Sequence, residues 1–420
     1  MNERLLQYIW QFQYYQASYL QTEEGEPLQI ISPGMHNTNE GPDFINAKIK
    51  VGNTTFVGSI EIHNKASDWV RHKHQHDVNY NNVVLHVVWE QDKQLDISFP
   101  TLALQHRISN LLLDKYQMLM QATNFIPCQQ QISGVGELTL NIWKQRLMVE
   151  RMQQRVGDVK IILANNNNHW EATFWQLLAK SFGVKVNSLA FENMAQSIPL
   201  SILAKHKNQP HQIEALLMGQ CGLLNKKFED SYAIMLQKEY LFLKQKYNLV
   251  PSAIPVFFLR MRPANFPTIR IAQLSSLITQ SKHLFSIIKE VQELKDVKKL
   301  FDITANDYWH YHYNFEEITS YKPKRVGAQM LQNIIVNTVL PVLYAYGWYN
   351  NIEAYKNRAL MWAEALPPEK NTITDGFEKL GISNKSAFDS QALIQLKNKY
   401  CNEKKCLSCA IGNHILKMSK

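Results

Sequence analysis

The sequence predicts an α+β protein, with an α/β domain over about residues 1–125 and a mostly α-helical region over residues 126–420. Three observations predict it. Alternating and β-branched apolar runs occur only before about residue 105. Beyond about residue 137, apolar residues recur at helical spacing and strand signals nearly vanish. The chain has 420 residues, more than one ordinary core holds, so two or three domains are expected.

The elements follow in order. Residues 4–20 place Leu5, Tyr8, Ile9 and Phe12 on one helical face. Glu24-Gly25-Glu26-Pro27 reads as a turn, and a short strand over 28–31 stops at Pro33-Gly34. Residues 44–63 read as a β-hairpin, because Ile45, Ala47, Ile49 and Val51 alternate with polar neighbours and Gly52-Asn53 is a turn signal. The polar, histidine-rich stretch 68–82 reads as helix or loop. Residues 83–89 have the β-branched composition of a buried strand, and 96–104 can form another. The order is helix, three strands, helix, strand. Helices are then expected at 138–156, 170–182, 211–224, 230–247, 268–279 and 327–346, with a Lys-rich helix at 282–305.

Composition narrows the class. Apolar residues make up 45% and charged residues 19%, which suits a folded chain and argues against disorder. The N-terminus lacks a basic stretch followed by an apolar one, so no secretory signal is expected. No window reaches about 18 uninterrupted apolar residues, so no membrane span is expected and the cytoplasm is the expected compartment. The net charge of +9 would attract phosphate polymers, which makes nucleic acid a candidate partner. Many soluble proteins carry such a charge without touching nucleic acid. Nothing in the sequence sets the oligomeric state.

The first chemical constellation is Gly41-Pro42-Asp43 followed by Glu61-Ile62-His63. Magnesium and manganese take hard oxygen ligands, commonly one or two carboxylates, which Asp43 and Glu61 can supply. Residues two apart in a strand share a face, so Glu61 and His63 point the same way. Pro42-Asp43 and Glu61-x-His63, with a hairpin between them, resemble the PD-(D/E)xK nuclease superfamily. That resemblance implies an αβββαβ core, with Asp43 and Glu61 as metal ligands and His63 in the place of the superfamily's lysine. It implies a metal-dependent nuclease in which His63 acts as cation, base or ligand. Glu3 is the one acidic residue on the first helix that matches a further superfamily position. The alternative is a plain turn and a solvent-facing Glu61.

Register poses a difficulty. With a two-residue turn at Gly52-Asn53, Asp43 lies opposite Ile62 and on the other face from Glu61. A three-residue loop or one bulge would place it opposite His63 instead. An irregularity is therefore expected at 41–44 or in the turn.

His72, His74 and His76 follow, flanked by Trp69 and Asp77. In a helix His72 and His76 lie at i and i+4, one face apart by a turn, and can bind a transition metal. The alternative is a polar helix covering the sheet. His86, inside a strand, reads as a hydrogen-bonded core residue. The whole of this region resembles a bacterial family, domain of unknown function 2851. The matching stretches are Asn39-Glu40-Gly41-Pro42-Asp43-Phe44, Glu61-Ile62-His63, Asp68-Trp69 and Tyr80-Asn81-Asn82-Val83-Val84-Leu85-His86-Val87-Val88. The likeness continues through Arg260-Met261-Arg262-Pro263-Ala264-Asn265-Phe266-Pro267-Thr268-Ile269-Arg270 to the C-terminal cysteines. It implies no activity.

Two more features carry chemistry. Cys401-x4-Cys406-x2-Cys409 packs three thiols into nine residues, a spacing that suits metal chelation. Cys128 is the natural fourth ligand, with Cys221 as competitor. The group is zinc or a 4Fe–4S cluster, the latter by partial analogy with clusters in several PD-(D/E)xK nucleases. Either would tie the C-terminus to residue 128. Reduced structural cysteines are the alternative. Arg260, Arg262 and Arg270 bracket a helix start at Pro267, where phosphate can bind. An inter-domain corner of ion pairs is the other reading.

The leading expectation is a nuclease using Mg²⁺ or Mn²⁺ on Asp43 and Glu61, with His63 assisting the water. A catalytically inactive nucleic-acid binder or scaffold of the same fold is one alternative. A metal hydrolase of a small substrate, built on His72 and His76, is another.

Overall fold

The computed structural model describes residues 2–259 and 261–417. The chain divides into two compact units, residues 1–143 with 396–420 and residues 144–395. The boundary expected near residue 125 thus moves to 143, and the C-terminal stretch belongs to the first unit. Hydrogen bonds explain its return. Lys397 Nζ donates to the Phe125 carbonyl oxygen at 2.6 Å, and Lys404 Nζ donates to that of Met120.

The first unit opens with α1 (Glu3–Gln11), capped by the Asn2 side chain, which accepts from Arg4 N. Its apolar face buries Leu5, Leu6, Tyr8, Ile9 and Trp10. The helix stops at Gln11, short of the expected residue 20, and Gln13 turns into the left-handed region. Six strands follow: β1 (Leu28–Ser32), β2 (Met35–His36), β3 (Phe44–Val51), β4 (Thr54–Lys65), β5 (Val83–Glu90) and β6 (Thr101–Ala103). They form one mixed sheet in the order β1-β3-β4-β5-β6, with β2 pairing to β3. The first pairs are antiparallel, while β5 joins β4 and β6 joins β5 in parallel. The expected α+β organisation is present. β6 is shorter than the strand expected over 96–104, since it begins after Pro100, which has no N–H for a ladder.

The core of this sheet is Phe44, Ala47, Ile49, Ile60, Ile62, Leu85, Val87 and Leu102, packed with Leu6 and Ile9 of α1 in the same apolar interior. Each large aliphatic side chain removed from water there contributes roughly 1.5–3 kcal/mol. A parallel pair cannot be joined by a tight turn and needs a crossover. Here the crossover between β4 and β5 holds only one turn of helix, α2 (Asp68–Arg71), and the 3₁₀ turns His74–His76 and Val78–Tyr80. That short crossover carries the histidines. A third helix, α3 (Asn110–Gln121), follows the sheet, and the unit boundary falls within the long helix α4 (Glu137–Asn165).

The second unit is helical, and among the described residues no β-strand follows β6. Its helices include Trp170–Phe182, Val184–Ser197, Pro210–Gln220, Ser231–Tyr247 and Pro267–Gln280, the last opened by Pro267 as expected. The helix expected over 282–305 is broken into Leu284–Glu290 and Leu294–Leu300. At the break the Arg358 guanidinium donates to the carbonyl oxygens of Lys289 and Val291, and the Trp362 indole donates to that of Gln292. These donors satisfy carbonyls that a continuous helix would have used itself. The helix expected at 327–346 contains a π turn over Ile335–Val339, just before Pro341. Among the described residues, no helix is long and apolar enough to cross a membrane.

Candidate metal centre

The site is built where β3, β4 and the crossover meet. The hairpin turn is the two-residue Gly52-Asn53, with Val51 opposite Thr54, and pairing stays regular to Ala47 opposite Gly58. There β3 takes in one extra residue, and pairing resumes with Phe44 opposite Ile60. Asn46 sits in this bulge at φ 58°, a left-handed conformation that asparagine tolerates better than most side chains. The irregularity expected from the register is therefore real, but it lies at 45–46 rather than at 41–44. It also shifts the pairing the other way: continued by one residue, the register sets Asp43 opposite Glu61, not His63. The two carboxylates share a face.

Asp43 is held from three sides. Gly41 (φ 100°) and Pro42 shape the turn before it, and the Asn37 amide donates to the carbonyl oxygens of Glu40 and Pro42. The Gln7 amide of α1 donates to Asp43 Oδ1 at 2.8 Å, and Ile62 N donates to Oδ2 at 3.1 Å. Asp43 N in turn donates to Glu61 Oε2 at 3.1 Å. This leaves Glu61 Oε1 facing two imidazoles, His63 Nε2 at 3.5 Å and His74 Nε2 at 3.3 Å. Both nitrogens are buried and make no hydrogen bond.

His72 completes the group. His63, His72 and His74 each offer a ring nitrogen, and these atoms lie within 4.8 Å of one another. His63 is oriented from behind, because its Nδ1 lies 2.9 Å from Nε2 of His86. Trp69 walls the group, its ring edge-on to those of His63 and His74. Tyr80 stacks on His74 with ring centroids 3.9 Å apart. His63, His86 and Glu61 are buried, His74 is half-buried and His72 is exposed, so the group opens to solvent on its His72 side.

The crossover explains why His74 rather than His76 meets His72. After α2, Lys73 adopts φ 62°, which ends the helix and destroys the i, i+4 relation. His76 is exposed and lies outside the group. Asp68 fixes the start of the crossover, accepting from Lys65 N and pairing with Arg71.

Electrostatics mark the same corner. Burial raises Asp43 well above the usual carboxylate range, and the Glu3 charge adds to the rise. Glu61 is raised by burial and then by the Asp43 charge. Burial lowers His63 to about 2, helped by His86, His74 and His72, and lowers His86 to about 4. The result is two buried imidazoles, His63 and His86, held neutral beside carboxylates that resist ionising without a cation. Glu3 on α1 is part of this field.

The other expected site residues fall elsewhere. Arg270 is buried, and its guanidinium donates to the side-chain oxygens of Gln273 and Asn265. These partners, within the second unit, are amides rather than the carboxylates of the expected ion pair. Arg262 is exposed and precedes the 3₁₀ turn Pro263–Asn265. Arg260 lies outside the described residues. Cys128, Cys401, Cys406 and Cys409 all belong to the first unit, while Cys221 is buried in the second. Sequence reasoning passed over His74 and Gln7. The His-x-His-x-His pattern pointed at His74, and nothing in the sequence singled out Gln7.

No curated protein and no solved structure matches the chain. Residues 3–372 match the model of a family described as a protein of unknown function, DUF2851, a span that includes the histidine corner and ends before the three C-terminal cysteines, and the chain belongs to that family.

Proposed function

We propose that the protein is a metal-dependent hydrolase of phosphodiester bonds, with the metal held by His63, His72 and His74. The observation that carries this reading is the pair of buried, unpartnered Nε2 atoms on His63 and His74, both facing one oxygen of Glu61. A buried polar atom without a partner is costly, and here a cation would satisfy two of them. Imidazole nitrogens suit zinc and related transition ions, whereas magnesium wants oxygens alone. The metal reading therefore moves from magnesium on Asp43 and Glu61 to a transition ion on the histidines.

Three imidazoles leave one position of a tetrahedral ion open to water or substrate. A bound ion would polarise that water and offset charge building on a phosphate. Glu61 is then placed to accept the water's proton through Oε1. Asp43 is a positioning residue, which fixes Glu61 through its backbone N–H and is itself held by Gln7 and Ile62. His86 holds the His63 ring, as a hydrogen-bonded neighbour of a metal ligand commonly does.

The phosphodiester substrate rests on the net charge of +9 and on the Pro-Asp…Glu-x-His layout in a PD-(D/E)xK-like element order. The test is cleavage of DNA and RNA, single- and double-stranded, with Zn²⁺, Mn²⁺ or Mg²⁺. Wild type should cleave with Zn²⁺ or Mn²⁺, and Glu61→Ala, His63→Ala and His74→Ala should lose at least about a hundredfold, while His76→Ala keeps its activity. Equal cleavage by wild type and Glu61→Ala would sink the reading. No cleavage by any of them would leave a nucleic-acid binder or a hydrolase of smaller esters, separated by a gel-shift and a small phosphodiester substrate.

A further inference from the structure

The first unit contains a second set of ligand-type side chains, unrelated to the histidines. Cys128, Cys406 and Cys409 are buried and Cys401 is half-buried. Residues 129–400 separate Cys128 from the other three in the chain, yet all four share one electrostatic neighbourhood. The charges of Cys409, Cys128 and Cys406 each act on Cys401, and those of Cys409 and Cys406 act on Cys128. Four thiols drawn together from such a distance in sequence, with no disulfide among them, call for a common ligand.

Hydrogen-bond donors and lysines gather around these sulfurs. The backbone N–H groups of Ile411 and Gly412, in the first turn of the helix Ala410–Lys417, are directed to Cys409, as is the Trp143 side chain. A Cβ at residue 412 would lie 2.2 Å from the Cys406 carbonyl oxygen, so only glycine lets this helix start so close to the Cys406–Ser408 turn. Lys397 and Lys404 act on Cys401 and Cys406 respectively and offset negative charge. Both also tie the C-terminal segment to Phe125 and Met120, in the stretch of chain that leads to Cys128.

Spacing selects the ligand. Among the described residues, the histidines are the group whose ligand atoms lie mutually within 4.8 Å, and no three of the four sulfurs meet that spacing. Zinc with Zn–S bonds of about 2.3 Å would set its four sulfurs roughly 3.8 Å apart, well inside it. A cluster of four irons and four sulfides interposes its own atoms and holds its thiolates wider apart.

We propose that Cys128, Cys401, Cys406 and Cys409 bind a 4Fe–4S cluster that clasps the C-terminal segment onto the first unit. Each thiol releases its proton to solvent as its Fe–S bond forms, leaving four thiolates on the cluster. The clasp is structural and independent of the histidine centre.

The test is anaerobic purification of the full chain, with iron, acid-labile sulfide and zinc measured together. The expected result is a brown protein with about four irons and four sulfides per chain. Cys128→Ser and Cys409→Ser should lose the iron, while Cys221→Ser and His63→Ala should keep it. Removing the iron from the wild type should expose the segment 396–417 to limited proteolysis, a readout that does not depend on how the variants fold. Stoichiometric zinc without sulfide would overturn the proposal. So would a metal-free protein that takes up no iron on anaerobic incubation with ferrous iron and sulfide. Iron retained in Cys128→Ser would remove that residue from the site and overturn it in this form.

Discussion

Glu61 and Glu214 are the same residue type at the same depth, and their neighbourhoods are opposites. Glu214, on the helix Pro210–Gln220 of the second unit, receives the Trp309 indole N–H at 2.7 Å and the Tyr232 hydroxyl at 3.0 Å on Oε1, and the Asn306 amide on Oε2. Every neighbour is a donor, and both oxygens are used. Glu61 receives one backbone N–H on Oε2, and its other oxygen faces two buried ring nitrogens, His63 Nε2 and His74 Nε2, that make no hydrogen bond. Burial raises both carboxylates, so a shifted pKa does not separate them. Partner accounting does. A buried carboxylate whose hydrogen bonds close on themselves is structural, and one left beside unpartnered ring nitrogens is the candidate for the cation proposed above.

The largest expected effect tests that contrast directly. Glu214→Gln turns one of the two accepting oxygens into an N–H₂ that faces at least one donor, so it should destabilise the protein by about 2 kcal/mol, the cost of buried groups left unsatisfied. Glu61→Gln should do the reverse in metal-free protein. Its amide can donate to His63 Nε2 or His74 Nε2 while its oxygen still accepts from Asp43 N, and a gain of up to about 1 kcal/mol is expected. Urea denaturation of both variants after chelation measures this. The same Glu61→Gln protein should be inactive and bind Zn²⁺ or Mn²⁺ more weakly, the usual exchange of stability for function at an active site. Destabilisation by both substitutions would erase the distinction.

A smaller effect concerns pH. Glu214 is raised from 4.5 to about 7, chiefly by burial. The folded state thus holds this proton more tightly than the unfolded chain. Its contribution to stability is complete below the unfolded value and is lost as pH rises through the folded one. The destabilisation by Glu214→Gln should therefore be larger at about pH 5 than at about pH 8. Denaturant midpoints of wild type and variant at the two pH values check the sign. A cost that grows with pH would mean that the three donors outweigh burial and keep Glu214 ionised.

The two regions also differ in how far the sequence reveals them. The hairpin, the parallel strand over Val83–Glu90 and the helical second unit follow from periodicity and turn residues, which are local signals. Asp43, Glu61 and His63 could be named because Pro-Asp and a strand spacing of two are also local. Their convergence was not legible, since it depends on one inserted residue whose position only the pairing of two strands decides. The choice of His74 over His76 turns on a single left-handed residue, Lys73, with nothing in its side chain to announce it. Glu214 passed unnoticed because its partners, Tyr232, Asn306 and Trp309, come from separate helices and an N-cap. The burial of Arg270 was not legible for a related reason, as a buried guanidinium and an exposed one look alike in sequence.

The smallest effect expected lies in that left-handed residue. Glu214 and its three partners occupy ordinary helical or extended backbone, whereas the histidine corner holds Asn46 at φ 58° and Lys73 at φ 62°. Lysine has no side-chain contact there that accounts for the conformation, and its Cβ makes the left-handed region unfavourable by roughly 1 kcal/mol. Lys73→Gly removes that cost but gives the unfolded chain more freedom, so the net gain should be only a few tenths of a kcal/mol. If strain at Lys73 serves to hold His72 and His74 apart from the helical path, metal affinity should fall slightly even as stability rises, because glycine lets the crossover sample other turns. Thermal denaturation and Zn²⁺ titration of the variant measure the two quantities side by side. A rise in both would show that the backbone at Lys73 is merely tolerated, and that the arrangement of the histidines is fixed by Trp69, Tyr80 and the sheet beneath them.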